Sequence, residues 1–159
     1  MGRTIELVEE AFKANSLQYR VEEHEEITSL ILNTALQTTS VMIHYYSRDD
    51  RDGVSVRIPN FVNFIEKDRA TVLRVVNECN GRYRYAKFTL DNEHHAVQVE
   101  YDIPQFVSED ELGAIAMEVF RRLMLISNEA FPRFMRAIYG KPEKPIQQLG
   151  NITFRDVEV

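Results

Sequence analysis

Residues 75–104 read VVNECNGRYRYAKFTLDNEHHAVQVEYDIP, from Val75 to Pro104. Val75, Val76 and Cys79 continue a helical apolar period that starts at Val72, and Gly81 stands where a helix takes a left-handed terminating residue. The stretch therefore opens on the end of a helix capped at its start by Asp68. From Tyr83 the period changes to two. Tyr83, Tyr85, Lys87 and Thr89 fall on one face, with Arg84, Ala86, Phe88 and Leu90 on the other. After the polar turn that begins at Asp91, Val97, Val99 and Tyr101 alternate with Gln98, Glu100 and Asp102, and Pro104 closes the strand. A helix thus runs into an antiparallel hairpin.

The same periods extend outward in both directions. Upstream, Thr4 to Ser16 sets Ile5, Val8 and Phe12, flanked by Leu7 and Ala11, on one face of an amphipathic helix. Tyr19 and Val21 alternate with charged residues, Thr28 to Thr34 carries Leu30, Ile31 and Leu32, and Val41, Ile43 and Tyr45 alternate with Met42, His44 and Tyr46. A polar loop through Gly53 then leads to Val54, Val56 and Ile58, a strand that Pro59 and Asn60 are expected to end, leaving Phe61 to Ile65 as an apolar connector. Downstream, Ser108 and Glu111 form a capping box, with acids in the positive first turn. Leu112, Ile115, Ala116, Val119, Leu123 and Ile126 make one long stripe, and Phe120, Met124 and Phe131 widen it. Pro132 predicts a break near 128–131, followed by a short last helix through Tyr139. The order is α-β-β-β-β-α-β-β-α, one domain over residues 1–140 with a tail at 141–159.

Composition narrows the partners. A chain of 159 residues with 44% apolar side chains holds one good core. Its formal charge of -6 opposes nucleic acid and anionic membrane surfaces as partners. Cys79 is the single cysteine, so no internal disulfide forms, and neither a basic-then-apolar leader nor a membrane-length apolar run is visible. The expectation is a cytoplasmic protein.

Asn77-x-x-Asn80, Arg82-Tyr83 with Lys87-Phe88, and the strand ending Glu100-Tyr101-Asp102-x-Pro104 together resemble the YbjN domain family. Its pattern is a helix with N-x-x-N leading into R-Y-x-x-x-K-F and a strand ending E-Y-D-x-P. The likeness extends more loosely to Tyr19-Arg20-Val21-Glu22 and to the helix from Leu112 through Phe131-Pro132, covering most of residues 4 to 139. Cys79 departs from it, at a place where leucine is commoner, and the tail past Gly140 lies outside it. The resemblance implies an α+β fold, an antiparallel sheet packed with helices, similar to type III secretion chaperones. It also implies a bacterial source and a role in sensory regulation, with polypeptide binding suggested by the chaperone-like fold alone.

Each chemical candidate has a plainer explanation. His94 and His95 are adjacent, and neighbours on a strand point to opposite faces, so they read as a polar turn and not a metal site. Asp49, Asp50 and Asp52 before Gly53 lack the spacing and closing glutamate of a calcium loop. Cys79 sits on an apolar stripe at the helix end that disfavours thiolate, so it reads as core. The acidic run Glu22 to Glu26 fits a solvated edge and turn better than a catalytic cluster. Asn77 and Asn80 are expected to tie the helix end to the next strand through their amides. Arg82, Arg84 and Lys87 interleaved with Tyr83, Tyr85 and Phe88 have the look of a nucleic-acid platform, but the same spacing serves a sheet meeting helices, and the chain is acidic. No phosphate-binding glycine loop, G-x-S-x-G or C-x-x-C is present.

The sequence thus assigns no catalytic, cofactor-binding or metal residue and no cofactor. It points to a non-catalytic interaction module, a homodimer with a polypeptide partner, whose interface is Phe120, Met124, Phe131 and Met135. The alternative is a small-molecule binder or an enzyme using a pocket between sheet and helices, with Tyr45, Tyr83, Tyr85 or Tyr101 as polar contacts.

Overall fold

A computed structural model describes residues 2–48, 53–105 and 107–140. The elements follow the expected order: α1 (Arg3–Ala14), β1 (Arg20–His24), β2 (Ile27–Ala35), β3 (Ser40–Arg48), β4 (Val54–Asn63), a 3-10 turn (Glu66–Asp68), α2 (Arg69–Arg82), β5 (Lys87–Asp91), β6 (Ala96–Ile103) and α3 (Glu109–Tyr139). All six strands join one antiparallel sheet in the order β1-β2-β3-β4-β6-β5. The class is α+β.

Register assigns each strand residue to a face. Val21, Leu30, Tyr45, Val56 and Tyr101 lie opposite one another across five strands, and Phe88, Val99 and Ile58 form a second row on that face. Leu30, Tyr45, Val56, Phe88, Val99 and Ile58 are all at most 1% exposed, because the helices cover this side. The other face carries Arg20, Ile31, His44, Arg57, Glu100 and Lys87 in one continuous row. Its charges pair laterally, with Arg57 Nη2 2.8 Å from Asp102 Oδ1 and Lys87 Nζ 3.6 Å from Glu100 Oε2. The period of two has thus separated an apolar and a polar face.

Helix α1 lies along the first half of α3, where Gly113 allows the approach. A Cβ there would sit 3.1 Å from Ala11 Cβ. Helix α2 covers the β5 end of the sheet through Val72, Val75, Val76 and Cys79, all buried. Burial pushes the Cys79 thiol up to about 11, so it stays protonated and packs as a small apolar group. The start of α3 modifies the expected capping box, since the Ser108 hydroxyl donates to Glu111 Oε2 at 2.7 Å and accepts no backbone N–H of the first turn.

Four expectations about element ends are corrected. β4 does not stop at Pro59. Its pairing with β6 shifts between Ile58 and Val62, and Asn60 adopts φ 50 within the bulge. A bulge needs no ladder donor from every residue, which is where a strand tolerates proline. Phe61 and Val62 are therefore buried strand residues, while Ile65 beyond them is exposed. Gly81 is not a left-handed terminator, for α2 continues through it to Arg82 and no described glycine has positive φ. A Cβ at Gly81 would meet nothing within 4 Å. Gly81→Ala is thus expected to raise stability by about 0.5–1 kcal/mol, read as a higher urea midpoint at unchanged slope. An unchanged or lower midpoint would count against the helical assignment.

The strand expected from Tyr83 begins only at Lys87, with residues 83–86 running against α3 instead. Nor does Pro132 break α3, which continues for 31 residues from Glu109 to Tyr139. Proline deletes one helical hydrogen bond, to the Asn128 carbonyl, while Ala130 and Phe134 on either side are fully buried. Packing of the helix on both sides of Pro132 outweighs that local loss.

Candidate functional site

Helix α3 lies over the sheet with one stripe, Leu112, Ala116, Val119, Leu123, Ser127, Ala130 and Phe134, turned into the core. Beside it, on one flank, stand the four residues expected at an interface. Phe120, Met124, Phe131 and Met135 are all half-buried and rest against the core of their own subunit. Phe131 also makes a ring contact, 5.8 Å from Phe61 in an edge-on arrangement. The structure thus places all four on one side of α3, each with part of its apolar surface outward. Asn128 on the same side accepts a hydrogen bond from the Gln37 backbone N–H at 2.8 Å, tying the β2–β3 turn to the helix.

The opposite flank of α3 meets α2 and residues 83–86. Tyr83 donates its hydroxyl to Glu129 Oε2 at 3.2 Å, and its ring lies 6.1 Å from Phe88. Tyr85 points away from the core, and the Arg122 guanidinium stacks on its ring at 4.2 Å. Leu125, next to this pair, is 67% exposed, and Tyr85 is 44% exposed. Together with Ile126, Arg82 and Arg84 they line a shallow hollow of about 350 Å³. Tyr85 was legible as an aromatic among arginines, but its position was assigned to a strand. Leu125 was missed, although an apolar residue between Arg121–Arg122 and Glu129 on the polar side of a helix is itself a signal.

Of the four tyrosines proposed as ligand contacts, Tyr45 is wholly buried, and its hydroxyl donates to the Ala116 carbonyl at 3.1 Å. Burial pushes that hydroxyl's pKa upward, so it acts as a fixed donor between sheet and helix. Tyr101 is half-buried against the core, and only Tyr83 and Tyr85 share a hollow. His94 faces Asp91 Oδ2 at 2.8 Å, while Asp91 Oδ1 accepts the backbone N–H groups of Glu93 and His94, both at 3.0 Å. The hydrogen bond to the Asp91 carboxylate raises the His94 pKa. His95, at φ 48, completes the turn into β6. Among the described residues no cluster of three or more His, Cys, Asp or Glu could hold a metal ion. Asp49, Asp50 and Asp52 lie outside the described residues. Glu22 is half-buried on β1, Glu23 to Glu26 form exposed strand and turn, and Asn77 lies exposed on α2. Asn80 fulfils its expected part, since its amide donates to the Phe88 carbonyl at 2.9 Å and accepts the Phe88 N–H at 2.7 Å.

The geometry of the helix-to-hairpin junction is the part that carries the family pattern, and comparison with family models bears on it directly. The model for YbjN, described as putative bacterial sensory transduction regulator, matches residues 4–131. The chain belongs to the YbjN family. The matched span holds every described strand, α2, all of α1 but Arg3 and residues 109–131 of the 31-residue α3, and stops just before Pro132. Within the YbjN pattern, Asn80, Tyr83 and Phe88 are joined by the contacts above, which gives the motif a structural meaning: it fastens α2 to the edge of the sheet. A comparison with curated proteins finds no match. Among the described residues no helix is long and apolar enough to cross a membrane.

Proposed function

We propose that this YbjN protein is a non-catalytic cytoplasmic regulator that acts by binding another polypeptide and is itself a homodimer. The observation that carries the reading is the apolar surface that α3 leaves uncovered. Met124, Phe120 and Met135 keep part of their surface outward on one flank, and Leu125 stands clear on the other. A helix needs one buried stripe to hold its place, and apolar surface beyond that stripe is stabilised by covering it. A second copy of the same chain meets that need for the Phe120–Met135 flank by two-fold symmetry. The family's description as a sensory regulator supports a role executed through binding.

Analytical ultracentrifugation tests the dimer. The wild type is expected to sediment as a dimer at high micromolar concentration, and Met124→Glu as a monomer with a retained circular-dichroism spectrum. Met124 is the residue to change because Phe131 also packs on Phe61, so its loss would unsettle the fold. A wild type that stays monomeric throughout overturns the dimer.

A further inference from the structure

We propose that the hollow between residues 83–86 and α3 is a docking groove for an acidic polypeptide segment that presents a large apolar side chain. The inference deepens the reading of the protein as a polypeptide-binding regulator and rests on it. Its floor is apolar, formed by Leu125, Ile126 and the ring of Tyr85, in a depression of about 350 Å³. That space is enough for a leucine or an aromatic ring to enter from outside. Its rim is basic. Arg82, Arg84 and Arg122 line it, and Arg133 adds a positive charge beside the Tyr83 hydroxyl. Two carboxylates stand among them: Glu118 Oε1 accepts from Arg122 at 2.6 Å, and Glu129 lies 3.9 Å from Arg82. Among the described residues Arg84 has no carboxylate partner. A chain of net charge -6 has therefore gathered an excess of guanidinium around one of its few exposed leucines.

Charge selects the occupant. A segment with Asp or Glu beside its apolar anchor would pair with Arg84 at once and could extend to Arg82 and Arg122, whose planar forks suit carboxylates. Nucleic acid fits less well, because Arg122 already covers the Tyr85 face that a base would stack on. The groove is also separate from the proposed dimer flank. Met124 and Leu125 are one residue apart on α3, hence about 100° apart around its axis, so both surfaces can be occupied together.

The test is selection of a displayed random-peptide library on the full chain, followed by fluorescence-anisotropy titration of the winning peptides. Leu125→Glu and Arg84→Glu serve as variants, since both side chains are exposed and their replacement leaves the core untouched. Thermal melts check this. The expected result is enrichment of Asp or Glu next to Leu, Phe or Trp, with affinity at least tenfold weaker in each variant and falling with added salt. Selected peptides without acidic bias, or peptides that bind both variants as well as wild type, would overturn the groove while leaving polypeptide binding intact. If no peptide is selected, both readings fail. The groove also fails if only anionic vesicles or a single-stranded oligonucleotide bind in an Arg84-dependent way. Loss of the dimer in Leu125→Glu would make the hollow a contact between copies and would equally overturn it.

Discussion

Phe134→Ala is expected to cost about 3–5 kcal/mol and to lower the melting temperature by roughly 10 °C. The ring is fully buried and lies at the meeting point of three elements. Phe61 from the bulge of β4 approaches it edge-on at 6.1 Å, and Phe88 from β5 lies 6.0 Å away. Phe61 and Phe88 also touch each other at 6.0 Å, so one ring locks two others. Truncation would leave a cavity walled by rigid aromatic faces, which collapse poorly into a void. Phe131→Ala, at a half-buried site touching Phe61, should cost roughly half as much. Equilibrium urea unfolding measures both. A loss below about 1 kcal/mol for Phe134→Ala would show that α3 does not hold this residue in the core beyond Pro132.

That outcome bears on what a sequence can disclose. Alternation across β3, β4 and β6 named the inward residues correctly, because a strand's faces are fixed by a period of two whatever its neighbours do. Tyr45, Val56, Ile58, Val97 and Val99 are buried as that period requires. The misread places are those where a long-range contact overrides a local rule. Pro132 and Pro59 each signal an end, yet Phe134 and Phe61 beyond them are pulled into one aromatic cluster, and the backbone continues to carry them there. Gly81 signals a helix stop, but the stop comes at Tyr83, which turns extended at φ -102 and ψ 131.

The surface was legible only in part for a related reason. A helical period shows which residues share a side of α3, and Phe120, Met124, Phe131 and Met135 do share one. It does not show that Phe61 and the β2–β3 turn already cover part of that side. Nor does it show that residues 83–86 leave the sheet and bring Tyr85 alongside Leu125. Whether an aromatic among arginines belongs to a strand or to a groove depends on where its strand begins. Here that point is set by a residue on α2.

That residue is Asn80, and removing its amide is expected to destabilise the protein clearly. β5 is an outer strand of the sheet, and Phe88 uses both of its backbone groups to bond the Asn80 side chain, so these groups face away from β6. The amide stands in for a seventh strand at that point. Asn80→Ala would leave a donor and an acceptor on a partly buried edge without partners, at a cost of about 2–4 kcal/mol for the two together. Hydrogen exchange at the Phe88 amide should accelerate more than at Val99 on the adjoining strand. Asn80→Asp separates the two bonds. Its carboxylate can still accept the Phe88 N–H but faces the Phe88 carbonyl with a second oxygen, so the charged form is disfavoured in the folded state and its pKa rises above the unfolded value of about 3.9. A group with a raised folded pKa adds stability that is complete below the unfolded pKa and is lost as pH rises through the folded one. The deficit of Asn80→Asp relative to wild type should therefore be largest at neutral pH and shrink on acidification, when the carboxylic O–H can donate to the Phe88 carbonyl. The deficit of Asn80→Ala should stay level over the same range. Equal pH profiles for the two variants would mean that the donor half of the Asn80 clamp contributes nothing, and that packing of α2 alone holds the edge of β5 in place.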